Sequence, residues 1–127
     1  MSVHVRILNR FRQLNERRIA AQRKPLAQAG ALVMTIARRK IRTSDKESSP
    51  GTPPHTKTRR LKKAILFAAE SERVVIGPSV ELFGTAGRAH EHGGEFRDEV
   101  YPERPFMGPS LKDAAPRVSA FWSNSLT

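Results

Sequence analysis

The chain has 127 residues, enough for one domain with a modest core and too few for two. It holds no cysteine, which excludes disulfides, thiolate metal sites and a cysteine nucleophile, and its 6% aromatic content leaves little for base-stacking platforms. The net charge of +11 is concentrated at one end: residues 1–42 carry eleven basic side chains and one acidic, whereas residues 72–127 carry six basic and eight acidic.

A basic block of this kind attracts polyanions, nucleic acid first among them, by neutralising phosphates and releasing counterions. It equally suits contact with an acidic face of a protein partner. No segment approaches the roughly 18 consecutive apolar residues of a membrane span, and the start, MSVHVRILNRFRQ, lacks the apolar core of a signal peptide. The expectation is a soluble protein made inside the cell.

From Val3 to Leu14, Ile7, Leu8, Phe11 and Leu14 recur at helical spacing with Arg6, Arg10 and Arg12 between them, which predicts a basic amphipathic helix. Val3, Val5 and Ile7 also alternate, so a short first strand is the competing reading. The apolar stripe continues through Ile19, Leu26, Ala29, Val33 and Ile36. Pro25 interrupts it at a cost of about 3 kcal/mol inside a helix, predicting either a kinked helix or two helices meeting near Arg23–Pro25. Arg38, Arg39, Lys40 and Arg42 put cations where a helix dipole favours them. No helix-turn-helix spacing is visible, and the apolar face mixes in Ala and Gly and lacks Trp, which weighs against a membrane surface. A core-packing helix with a solvated basic face accounts for the pattern.

Thr43–Lys57 gathers Ser, Asp, Gly and Thr around Pro50, Pro53 and Pro54, and reads as a long loop. Thr58–Lys63 is basic, anchored by Leu61, with a short helix possible at Arg59–Lys63. Ala64–Ala69 and Arg73–Ile76, separated by Glu70–Glu72 and stopped by Gly77 and Pro78, predict a hairpin. Val80–Gly84 reads as a strand edge or a loop. Ala86, Ala89, His90 and Gly93 fall at helical spacing, and Gly93 with Gly94 marks the helix end. Gly94–Tyr101 suits an exposed strand or loop, and Pro102 and Pro105 exclude a central ladder position. Phe106 and Met107 are placed to plug a pocket in this fold or a neighbour's. Pro109 fits a first helical turn, and Leu111, Ala114, Ala115, Val118, Phe121 and Trp122 continue it, either kinked at Pro116 or starting only at Asp113.

Three short motifs stand in order: Ser49–Thr56 with Thr58–Leu61 behind it; His90, Glu91, His92, Gly93 and Gly94; and Arg104, Pro105, Phe106, Met107, Gly108, Pro109, Ser110 and Leu111. Together they resemble the tail-completion or neck (head-tail joining) family of long-tailed double-stranded-DNA bacteriophages. The resemblance spans roughly the last two-thirds of the chain. It implies a structural virion protein, made in the host cytoplasm and located at the head-tail junction or tail end. It further implies a homo-oligomeric ring around the DNA channel, sixfold or twelvefold, contacting adjacent neck and tail proteins, with the Pro-rich loop reaching neighbouring subunits; by its charge, part of the basic half could also face packaged double-stranded DNA non-specifically. The very basic first forty residues depart from the family pattern.

The chemistry of catalysis is not legible here. His90 and His92 are two apart and point to different sides of a helix, and the zincin pattern would need its second His where Gly94 stands. Glu95, Asp98, Glu99 and Glu103 are dispersed as on a solvated edge, and no phosphate-cradling glycine loop or nucleophile elbow occurs. His90 is expected on an inner face, and Glu91 paired with an arginine.

The reading is therefore a non-enzymatic α+β domain without cofactor or metal. Residues 1–42 form a long basic helical part, 43–57 a long loop and 58–127 the core, for which the resemblance implies a small antiparallel sheet packed by the long helix and a C-terminal helix. Candidates for subunit and partner contact are Pro53, Pro54, His55, His90, Gly93, Gly94, Arg104, Pro105, Phe106 and Met107. Arg38, Arg39, Lys40, Arg42, Arg59 and Arg60 are candidates to face DNA. The basic and acidic parts would complement one another head-to-tail in a ring. A small basic nucleic-acid-binding protein is the alternative.

Overall fold

The computed structural model describes residues 3–96 and 98–125. Helix α1, Val3–Lys40, is followed by β1 (Arg42–Thr43), β2 (His55–Thr56), α2 (Arg60–Ala64), β3 (Ile65–Ala69) and β4 (Val74–Pro78). Then come α3 (Val80–Phe83), α4 (Ala86–His92), β5 (Gly94–Phe96), β6 (Glu99–Tyr101) and α5 (Met107–Ser125). The chain is thus a mixed helix-and-strand fold with a long N-terminal and a C-terminal helix, as the periodicity predicts.

The sheet differs from expectation. Instead of one antiparallel sheet, the strands form three two-stranded pairs: β1–β2 parallel, β3–β4 antiparallel and β5–β6 antiparallel. Each strand has at most five residues, and β3–β4 is the pair that lies along α1, whereas β1 and β6 are exposed. The loop at 43–57 is also more ordered than its composition suggests. Arg42 and Thr43 pair with His55 and Thr56, the Ser44 amide donates to the Thr56 carbonyl at 2.9 Å, and Ser48 and Pro54 are buried.

Neither interior proline breaks its helix. Helix α1 runs through Pro25 without splitting in two, and α5 starts at Met107 and runs through Pro116. Proline removes one amide donor and frees the carbonyl four residues earlier. Those carbonyls belong to Ala21 and Lys112, both at exposed positions where water can take the donor's place. On the C-terminal side of Pro25, burial of Leu26, Ala29, Val33 and Ala37 at three- and four-residue spacing outweighs the local cost. Val80–Phe83 is a helical turn and not a strand edge or loop; the Ser79 hydroxyl caps it by accepting from the Leu82 amide.

The hairpin β3–β4 lies along α1. The Arg38 guanidinium donates to the Ile65 carbonyl at one end, and Arg18 pairs with Glu72 at the hairpin turn. Between them the chains come so close that a Cβ on Gly30 would stand 2.5 Å from the Phe67 ring and 2.8 Å from Val74. On the lysine end, Ala37 and Ile41 meet Leu61, Ile65 and Phe106, with Met34 and Met107 around them. Helix α5 packs on α1 there, and Lys40 reaches Asp113 at 2.6 Å.

Phe106 is the largest fully buried side chain in this cluster. The plug therefore fills its own fold, and its ring is withdrawn from any neighbour. Phe106→Ala should lower unfolding free energy by about 3–5 kcal/mol, the range for emptying a buried phenylalanine site. Urea unfolding checks this; a loss below about 1 kcal/mol would mean that the ring is not central to the core.

Candidate functional site

The three motifs are held together by a small set of polar contacts. Glu91, on the last turn of α4, points its carboxylate at the start of α5. Oε2 accepts from the Phe106 amide at 2.8 Å and the Met107 amide at 2.9 Å, and Oε1 accepts from the Gly108 amide at 2.8 Å. A helix leaves its first amides without partners, and α5 has no acidic residue in its own first turn. Glu91 supplies both the acceptors and the negative charge that the positive end of the helix dipole favours. The expected arginine pairing of Glu91 is replaced by this backbone cap.

The backbone reinforces the join. The Arg104 amide donates to the His90 carbonyl at 2.6 Å, and Gly93 closes α4 with φ of 68°. That left-handed conformation suits glycine, and space demands it as well. A Cβ at Gly93 would meet the Tyr101 carbonyl oxygen at 3.0 Å and the Glu103 nitrogen at 3.1 Å. The first motif docks on the third. The Gly51 amide donates to the Glu103 carbonyl at 2.8 Å, and Arg104 Nε donates to the Ser48 carbonyl at 3.1 Å. The Arg104 guanidinium also approaches Glu47 at 3.7 Å.

Of the candidate contact residues, Phe106 and Pro54 are buried inside the chain. Pro53, His55, His90, Gly93, Arg104, Pro105 and Met107 are half-buried, and Gly94 is exposed. His55 Nδ1 lies 3.0 Å from the Lys46 carbonyl, so it braces the loop. Among the proposed DNA-facing cations, Arg39, Arg42, Arg59 and Arg60 are exposed. Arg38 is spent on the Ile65 carbonyl and Lys40 on Asp113, so these two are structural.

An apolar cleft of about 240 Å³ lies between α4 and β6, lined by Thr85, Ala86, Ala89, His90 and Tyr101. Among the described residues no group of three His, Asp or Glu side chains is arranged to hold a metal ion. Sequence reasoning missed the role of Glu91 because its partners lie at least fifteen residues away. One signal was present: Arg104-Pro105-Phe106 offers no Ser, Thr, Asp or Asn to cap the last helix, which leaves its first amides to water or to an acceptor from elsewhere in the chain.

Compared with known proteins, the chain matches no family model, no curated protein and no solved structure.

Two outcomes follow from this geometry. Glu91→Ala leaves three helix-start amides without their acceptor and should cost about 1–3 kcal/mol of stability in thermal or urea unfolding, with Glu91→Gln intermediate. His90 is held below the ordinary imidazole range, first by burial and then by the charge of Arg104. The unfolded chain therefore takes up this proton first as pH falls below about 6.5, and stability declines from there towards the folded-state value. His90→Gln should flatten that decline in urea unfolding measured between about pH 5 and 7; an unchanged slope would assign it to other groups.

Proposed function

We propose that the chain is a structural subunit of the neck or tail end of a long-tailed phage or prophage particle, assembling as a ring around the DNA channel. The observation that carries this reading is the convergence of the three motif segments that resemble the tail-completion family. Residues 48–51, 90–93 and 103–108 form one hydrogen-bonded unit, through Gly51 to Glu103, Arg104 to Ser48 and His90, and Glu91 to the start of α5. Segments far apart in the chain that fold onto one another are expected to act together, as a rigid platform for neighbouring subunits.

The charge distribution supports the same reading. The basic helix and the acidic C-terminal part give the subunit two unlike ends, which suits repeated head-to-tail contact. Electron microscopy of intact particles from the source tests the proposal: density for this chain as a ring at the head-tail junction is expected, and its absence from particles would overturn it.

The second reading, a small nucleic-acid-binding protein, draws on the exposure of Arg39, Arg42, Arg59 and Arg60. If these four meet phosphates, changing them together to Gln should weaken duplex binding. It should also reduce the slope of log affinity against log salt by up to about 3–4. Filter binding or fluorescence anisotropy across salt concentrations measures this, and an unchanged slope would assign the four charges to protein contacts.

A further inference from the structure

Every residue from 3 to 18 of α1 is exposed. Within this stretch Ile7, Leu8, Phe11 and Leu14 share one face, and Phe11 is 66% exposed. Arg6, Arg10 and Arg17 follow one ridge beside that face. The same face, further along the helix, is the one that buries Leu26, Ala29 and Val33. The apolar seam thus continues beyond the body of the domain.

A complementary surface lies at the other end of the molecule. The β5–β6 hairpin presents Glu95, Asp98 and Glu99, all exposed, and Glu103 follows it. By composition, segment 94–103 holds four acidic residues and one basic residue. Val100 is 76% exposed on the hairpin, and the apolar cleft behind Tyr101 is bounded by Ala86 and Ala89 of α4.

We infer that the N-terminal half of α1 of one copy docks on the β5–β6 hairpin of the next, with Phe11 in the cleft and the Arg6–Arg10–Arg17 ridge facing the hairpin carboxylates. Two considerations choose a second copy, in this orientation, as the occupant. Pairing two α1 segments with each other would bring together seven basic side chains per copy between residues 6 and 24, against Glu16 alone. That arrangement is repulsive. Folding back within one chain is excluded by distance. The hairpin is tied through Arg104 and Phe106 to the region of Ala37 and Ile41. Leu14 is 23 residues from Ala37 along a continuous helix, or about 35 Å at 1.5 Å per residue. The contact is therefore between copies and unlike-to-unlike, the type that closes into a ring or extends as a filament. This inference gives the ring reading its interface, but it is tested on the purified chain. Failure here leaves the particle experiment to decide that reading, and failure there leaves this contact to be decided by its own result.

The experiment is sedimentation of the purified full chain with two charge-reversed variants, Arg6→Glu/Arg10→Glu/Arg17→Glu and Glu95→Lys/Glu99→Lys. All five positions are exposed, and circular dichroism verifies the fold. The wild type should associate in a concentration-dependent way, more weakly in about 1 M salt, where the screening length falls to about 3 Å. Each variant alone should dissociate at least about tenfold more readily. Mixing the two should restore association, because each acidic helix then meets a basic hairpin and each basic helix an acidic one. Phe11→Ser should weaken association without altering its response to salt.

A wild type that stays monomeric up to about 1 mM, or variants that associate as it does, would overturn the inference. So would a mixture that fails to regain association. Phe11-dependent binding to phosphatidylserine vesicles by a chain that does not self-associate would assign the stripe to a membrane surface instead.

Discussion

The fold depends on a carboxylate that reaches across to another helix. Glu91 satisfies the first amides of α5, and that cap fixes where α5 begins and hence where Phe106 enters the core. Three charge-assisted hydrogen bonds from one side chain define position and direction together, since a carboxylate oxygen accepts well only near its own plane. Phe106, set by this cap, completes the cluster with Ala37, Ile41, Leu61 and Ile65. The cluster in turn joins both long helices to the hairpin β3–β4. Arg104, one residue before the proline that leads into Phe106, carries the join onward to the loop at Ser48.

The rest of the architecture is a consequence of having this compact knot at only one end of a 38-residue helix. The helix outruns its core. Beyond Arg18 and its pairing with Glu72, it continues towards the N-terminus with an apolar stripe and basic flanks in solvent. Acidic side chains, by contrast, gather on the hairpin beside the knot. Surface ion pairs within the chain, such as Arg12–Glu16 and Glu70–Arg73, are well exposed, so solvent screening leaves them little weight in holding the fold. The charge asymmetry therefore matters less for holding the fold than for what its two ends can meet.

Much of this was legible in the sequence. Helical spacing from Ile7 to Ile36 and from Leu111 to Trp122 located both long helices, and the turn residues after Ala69 located the β3–β4 hairpin. Local rules failed where long-range packing decided. Pro25 and Pro116 left a kink or a break open because the sequence does not show that the carbonyls they free belong to residues at exposed positions. The fifteen polar and proline-rich residues from 43 to 57 read as loose because the short pairing of β1 with β2 spans them and has no periodicity of its own. At the candidate site, the motifs were visible as strings, but their joining through Glu91 was not. Three bonds to amides at least fifteen residues away leave no spacing rule to detect.

Amide hydrogen exchange at Phe106, Met107 and Gly108 tests the role of that carboxylate most directly. If Glu91 caps α5 as described, these three amides exchange slowly although they start a helix, and Glu91→Gln accelerates them selectively while amides around Ala37 and Ile65 keep their protection. Rapid exchange of the three in the unaltered chain, or exchange indifferent to Glu91, would contradict the account.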